Sequence, residues 1–382
     1  MGYGSSYVTE TTETTELGVI FRSGDVDIRV LSTTTRATPV ATTKKTTTMT
    51  TTQKTETPTA STAAPSEMMD DQPLVCTIGR RLNSTQMFPP DGLCEYIFFD
   101  SLYKLGRNSF AEPSLFEPNL LIFIDTAPLY QITAFGIGIT FDAVYHLEFF
   151  LNRSAPDFKP LQPFWANSIY HFGVLDTATV SPTETDVISA LACLKLLRDR
   201  FSQEIIAQGV KVFTVFAGYV PDGAWANFYI RNFTSLFMPD LFIALGHYIR
   251  GDNSLPSCRV VPPTLLQRPQ GAEDSYQHDM TLALESINRL AAPSLTLKYA
   301  LSVTMKGRWA VSTVPNQYAF FTPCMTNNTI DSFASYAQVC KDPSFMSTPG
   351  YDPMVDATQF RHVMEPLIFS YDDRAGLCKK KY

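Results

Sequence analysis

The stretch HFGVLDTATV, residues 171–180, is apolar at its start and ends in small and hydroxyl-bearing residues, with SPTETD behind it. A strand that feeds a helix reads this way, and such a junction is a common seat for a general acid or base. It offers one carboxylate, Asp176, beside Thr177 and Thr179. Two other apolar runs end in the same manner: LCEYIFFD closes on Asp100 and AFGIGITFD closes on Asp142. Further along, His247 and Tyr248 follow the run DLFIAL, and Arg308 and Trp309 follow LKYALSVTM. Carboxylates could move a proton, and the aromatic side chains could stack on a sugar face. For each of the seven, a structural hydrogen bond or a packed loop position is the competing reading. Trp165, Trp225 and Trp309 are equally well explained as core. His146, His171, His278 and His362 show no metal-ligand spacing, so no metal and no cofactor is expected. Asp372 and Asp373 are adjacent, so on a strand they face opposite sides and cannot work as one pair.

These candidates need elements to hold them. The runs 74–79, 93–100, 134–142, 171–180, 210–218, 241–245 and 297–305 are largely apolar rather than alternating, as in strands buried on both faces, and 210–218 is the most continuous of them. Gly136 and Gly138 suit a strand approached closely by another backbone. Helical patterns alternate with the strands, around 118–131, 225–237 and 278–291. The longest begins at Ser181-Pro182-Thr183-Glu184, which reads as a capping box with proline at the first helical position. Val187, Ile188, Leu191, Leu194, Leu197, Phe201 and Ile205 form its apolar stripe, and Gly209 is its stop. Alternation of this kind implies an α/β fold with a parallel sheet. The length favours a (β/α)8 barrel, although only seven strands can be counted. Barrel active sites form at the C-terminal ends of the strands, which is where the candidates cluster.

Residues 1–73 differ from the rest. Sixteen of the thirty residues 33–62 are Thr, with Pro, Ala, Ser and Lys between them. This cannot bury enough apolar surface to offset its chain entropy, so a disordered, mucin-like stalk is expected over 1–73, followed by one barrel domain over 74–382. Within the stalk, LGVIFRSGDVDIRVL at 17–31 is an apolar island that the stalk reading does not explain. The net charge of −7 and the absence of a basic face argue against nucleic acid. No apolar run is long enough to span a membrane. The first residues lack the pattern of a secretory leader. Seven widely spread cysteines, none in a Cys-x-x-Cys pair, nevertheless suit an extracellular domain, with Cys193 a buried thiol. The four sequons at Asn83, Asn152, Asn232 and Asn327 agree with secretion.

Several stretches together resemble one family, the glycoside hydrolase family 18 chitinases and chitinase-like proteins. They are Cys76 with Phe88-Pro89-Pro90-Asp91-Gly92-Leu93-Cys94, then DLFIALGHYIRG at 240–251, Met305-Lys306-Gly307-Arg308-Trp309, SYAQVC at 335–340 and IFSYDD at 368–373. They occur in family order. The stretch Phe99 to Lys104 is most similar to secreted arthropod proteins, notably from ticks, that lack the catalytic motif. The resemblance implies a Cys76–Cys94 bond, whose short loop contributes about 3 kcal/mol on the loop-entropy model. It also implies a catalytic strand Asp-Gly-x-Asp-x-Asp-x-Glu, whose Glu protonates the glycosidic oxygen while the substrate's N-acetyl group attacks. Aligned through Gly173-Val174, those acidic positions read Phe172, Leu175, Thr177 and Thr179. A one-residue slip would bring Asp176 inward and would still leave no Glu at the tip. Lys306 replaces the family's Tyr, and Leu245-Gly246-His247-Tyr248 replaces its Met-x-Tyr-Asp.

The expectation is therefore a secreted, non-catalytic chitinase-like protein that binds a glycan, such as a chito-oligosaccharide, or an extracellular protein. A glycosidase rebuilt around Asp142 or Asp176 is the enzymatic alternative, and a structural mucin-like surface protein is the third. By the family's spacing the eighth strand begins beyond Tyr382, so the sequence predicts a barrel without it and a chain incomplete at both ends. An odd cysteine, Cys378, fits that expectation.

Overall fold

A computed structural model of the chain describes residues 18–22, most of 74–314 and shorter stretches on to 371; the larger gaps are 103–107, 145–160, 177–182, 248–257 and 268–278. Seven strands pair in parallel and in chain order: β2 (Val75–Ile78), β3 (Tyr96–Leu102), β4 (Ala134–Thr140), β5 (Ile169–Asp176), β6 (Thr214–Gly218), β7 (Leu241–Ala244) and β8 (Lys298–Thr304). Their apolar runs serve two environments. Val75, Phe98, Val215, Ala217, Leu241, Ile243 and Ala300 pack together as the barrel interior. Residues of opposite parity, among them Ile97, Phe99, Phe135, Ile137, Phe172, Val174, Phe216 and Phe242, pack outward in a cluster that includes the helices. A strand apolar on both faces is thus what a barrel wrapped by helices requires.

The helices between the strands are α1 (Pro118–Thr126), α2 (Gln162–Trp165), α3 (Glu184–Ile205), α4 (Gly223–Ser235) and α5 (Met280–Leu290). Asp222 caps α4 by accepting from the backbone N–H of Trp225 at 2.9 Å, and Asp279 caps α5 through Leu282 at 2.7 Å. A capping box stands at the start of α3, formed by Thr183 and Asp186; Ser181 and Pro182, on which the expected box rests, lie outside the described residues. Thr183 Oγ1 accepts from the Asp186 N–H, and Asp186 Oδ2 accepts from the Thr183 N–H at 3.0 Å. Thr183-Glu184-Thr185-Asp186 has the same hydroxyl-x-x-acid spacing as Ser181-Pro182-Thr183-Glu184, and its two reciprocal bonds are formed. Six members of the predicted stripe are buried, but Ile188 is 40% exposed because it sits a full 100° step round from Val187. Gly209 takes a positive φ of 68° after the helix, as a stop residue should.

The seven parallel strands leave a gap between β8 and β2. No eighth parallel strand occurs among the described residues. The gap is filled by β1 (Gly18–Arg22), antiparallel to both neighbours, and the barrel closes through it. Five residues of the segment expected to be wholly unstructured therefore belong to the barrel. The apolar island supplies them: Gly-Val-Ile-Phe-Arg carries the β-branched and aromatic residues that a paired strand favours.

Beyond β8 a second, antiparallel sheet runs β10-β9-β13-β12-β11. Its strands are β9 (Gly307–Val311), β10 (Phe333–Ala334), β11 (Gly350–Asp352), β12 (Ala357–Arg361) and β13 (Leu367–Tyr371). It has its own cluster of Val260, Val261, Leu265, Ala310, Phe320, Val355 and Ala357. Cys76 and Cys94 are disulfide-bonded, as the resemblance implied; Cys258 and Cys324 form a second bond beside this sheet, and Cys193 is a buried thiol outside any disulfide. The Pro-Pro-Asp-Gly turn is locked by Asp91, whose carboxylate accepts from the backbone N–H groups of Gln131, Ile132 and Thr133. Those bonds, Gln131's first, hold its pKa below the usual carboxylate value. Gly92 beside it has φ +83°, a turn conformation that other residues adopt only with strain.

Candidate functional site

The mouth of the barrel is built on glycines. A Cβ at Gly138 would lie 2.9 Å from the carbonyl oxygen of Phe99 and 3.0 Å from Cα of Asp100; one at Gly173 would lie 2.8 Å from the carbonyl of Val215. Only glycine admits this approach of neighbouring strands. The space above the two glycines is taken by Leu175. Its methyl carbons come within 2.9 Å of the Gly138 Cβ position and 3.3 Å of the Gly173 one. Leu175 is half-buried and packs against the interior cluster of Val215, Ile243 and Leu245. Asp100, also half-buried, stands on β3 against Gly138 and by alternation shares the face of Tyr96 and Phe98.

Asp176 is the last residue of β5. Val174 pairs with Ile139, yet Asp176, not Leu175, pairs with Thr140, because the ladder shifts register between Ile139 and Thr140. A bulge of this kind re-aims the end of a strand. Thr177, Thr179, Asp142 and Tyr248 lie outside the described residues, so the expected replacement of the acid by Thr179 rests on the sequence.

His247 follows β7 in a bridge with Thr264, and its Nδ1 lies 2.7 Å from Ser302 Oγ. Ser302 is 2% exposed, sits on β8, and also accepts from the Gly246 N–H at 2.9 Å. His247 is thereby tied to the end of β8 by a hydroxyl that sequence reasoning passed over. A lone Ser in LKYALSVTM carries no signal of its own.

Arg308 and Trp309 leave the barrel. Both lie on β9, in the second sheet. Arg308 is 3% exposed, and its Nη1 donates to the carbonyl of Arg259 at 3.0 Å. It fastens the Cys258 loop to β9. Trp309 is half-buried and pairs in register with Phe369 of β13. Of the seven candidates, Asp100, Asp176 and His247 stand at the strand ends of the barrel.

A second polar group lies at the N-terminal floor. His171 is buried, and its Nδ1 accepts from the Phe213 N–H at 2.9 Å. Its ring meets Tyr96 edge-on at 5.2 Å, and Tyr96 stacks on Phe213 at 4.2 Å. Burial pushes His171 down to about 4, so the imidazole is neutral near pH 7. Burial, with the Glu95 carboxylate adding to it, raises Tyr96 to about 12. Asp240 completes the floor by accepting from the N–H and hydroxyl of Thr214 at 2.9 and 2.8 Å and by pairing with Lys211 at 3.2 Å. The floor of such a barrel is where stability resides.

Among the described residues no cluster of His, Cys, Asp and Glu could hold a metal, and no helix is long and apolar enough to cross a membrane. Of the sequons, Asn83 is exposed, whereas Asn232 lies within α4 and its Nδ2 donates to the Phe228 carbonyl at 2.8 Å. Asn152 and Asn327 lie outside the described residues.

No protein-family model matches the chain, and no curated protein matches it. Solved structures do. The Group IV chitinase of Ostrinia furnacalis aligns with a TM-score of 0.51 at 12% identity, over 78% of this chain and 85% of that one. An immunomodulatory active chitinase from Trichuris suis aligns at 0.49 and 12%, over 78% and 84%. A family 18 chitinase from Cycas revoluta, in complex with (GlcNAc)3, aligns at 0.44 and 12%, over 74% and 81%. The first likeness shows the fold: the chain is a TIM-type barrel of the kind seen in that chitinase.

Proposed function

We propose that this protein is a secreted, non-catalytic chitinase-like barrel that binds chito-oligosaccharide-type glycans at the mouth formed by β3, β4, β5 and β7. The observation that supports it best is Leu175. At the position where the family resemblance calls for an inward carboxylate, a leucine rests on Gly138 and Gly173 and joins the apolar interior. A proton donor at the tip of that strand works through acidic neighbours that keep it protonated, and a packed leucine supplies none. Secretion is supported by the two disulfides and by the exposed sequon at Asn83. The Thr-rich residues 33–62 would then act as a glycosylated stalk.

One observation favours an enzyme instead. The register shift puts Asp176 across from Thr140, at the end of the strand that carries the acid in the family. A single experiment separates the readings: a chito-oligosaccharide binding and hydrolysis screen on the full chain produced by a secreting host. Saturable binding without turnover is the expected result. Turnover that disappears in Asp176→Asn would establish the enzyme, and no binding at all would leave a display protein or a protein partner.

A further inference from the structure

The barrel is closed by a strand that is delivered from a distance. β1 pairs with β2 through Gly18–Thr77, Val19–Cys76 and Ile20–Val75, and with β8 from Gly18–Thr304 to Arg22–Ala300. The pairing with β2 has the sense of a hairpin: the C-terminal end of β1 lies beside the N-terminal end of β2. A few residues could make that turn. Residues 23–74 make it instead, much of the segment being Thr. Loop-closure entropy rises with length, and for a flexible connection of that length the effective concentration of a strand at its slot is about thirty-fold lower than a tight turn of roughly five residues would give. The five pairs with β8 and three with β2 are backbone contacts, which any extended apolar segment can reproduce. Without β1, both β2 and β8 would be open edges at one seam.

We infer that the seam between β2 and β8 is a strand-acceptor site, filled in cis by Gly18–Arg22 and able to take the same segment from a second copy of this chain. The ligand class is an extended apolar peptide that pairs antiparallel on both of its edges. Two neighbouring edges and the separation of β1 from β2 by residues 23–74 make the closing strand exchangeable, whereas the strands β3 to β7 are each followed by a crossover that carries a helix of the outer layer. The inference concerns backbone pairing and stands whether or not the mouth binds glycan.

The test uses the full chain. Amide hydrogen exchange on the wild type should show β1 opening ahead of β4 and β5, with amides of Val75–Ile78 and Lys298–Thr304 losing protection in the same step. Opening of β1 only together with β4 and β5, in global unfolding, overturns the inference and needs no variant. A labelled peptide of residues 17–23 is then added in trans. It should bind the full-chain variant Ile20→Pro, in which the strand's own pairing is broken, about tenfold or more tightly than the wild type, where the cis strand competes. It should also restore protection at β2 and β8. Equal binding to both chains, equal binding by a control peptide with Pro at the Ile20 position, or no binding to Ile20→Pro would each count against an acceptor site.

Discussion

At the scale of single residues, two side chains in the barrel have separable jobs. Leu175 fills the mouth above Gly138 and Gly173. Truncation to Ala should leave a cavity the glycine backbones cannot collapse into, at a cost of about 2 kcal/mol, the low end for a leucine that is only half-buried. Chemical denaturation of Leu175→Ala checks this, and a change in glycan affinity in the same variant would place the ligand against that wall. His171 predicts a pH dependence. Its folded pKa of about 4 lies below the ordinary histidine value, so the unfolded chain binds the proton more readily. Stability is therefore full above about pH 6.5 and falls as pH drops toward 4. The loss from this one group is roughly 3 kcal/mol. Asp91, whose pKa is also lowered, works in the same direction: its bonds to Gln131, Ile132 and Thr133 are lost when it protonates. A stability profile between pH 7 and pH 4 should show the decline, and His171→Gln, which keeps an acceptor for the Phe213 N–H, should flatten it. The sequence showed the histidine without its role, because a floor site is made by residues 96, 171, 213 and 240 meeting across four strands. The Asp176 register shift was equally hidden, since a bulge is decided by the partner strand rather than by the bulged one.

At the scale of elements, the parallel strands were legible because burial on both faces writes a largely apolar run without alternation. The helices were legible because a single buried stripe writes a period of 3.6. Cap position was less so. Two overlapping hydroxyl-x-x-acid spacings compete before α3, and Thr183 with Asp186 forms the observed one. Thr183→Ala should cost about 1 kcal/mol, measured by thermal or urea unfolding. Loss of this size on Thr183→Ala, together with none on Ser181→Ala, distinguishes the two boxes. The closing strand β1 was illegible for a different reason. Its composition reads as a strand, but its partners are far away in sequence on both sides, and nothing in a Thr-rich segment indicates register. Arg308 misled in the opposite sense. It follows an apolar strand as a site residue does, yet the chain turns at once into β9 and buries it against the carbonyl of Arg259.

At the scale of the whole molecule, the barrel and the second sheet are cross-linked differently, and the difference is measurable. Cys76–Cys94 closes 18 residues between β2 and β3, which are already paired in the ladder. Cys258–Cys324 closes 66 residues and joins the loop after β7 to the segment after β9. On the loop-entropy model these constrain the unfolded chain by about 3 and about 4 kcal/mol. The longer loop also has a substitute for its disulfide. Val260 donates to Thr322 at 2.9 Å, Phe321 to Val260 at 2.7 Å and Cys324 to Cys258 at 3.0 Å, with Arg308 bonded to Arg259 from below. These bonds fix the geometry without the sulfurs, so the double substitution Cys258→Ser with Cys324→Ser should still fold. It should lose about 4 kcal/mol in urea unfolding, with the change concentrated in the unfolded state and the mouth residues Asp100, Leu175 and His247 undisturbed. Glycan binding should survive at a temperature where the variant is still native. A loss below about 1 kcal/mol would mean that the backbone ladder alone sets this lobe's stability; a loss of binding with the fold intact would move the ligand from the barrel mouth to the second sheet.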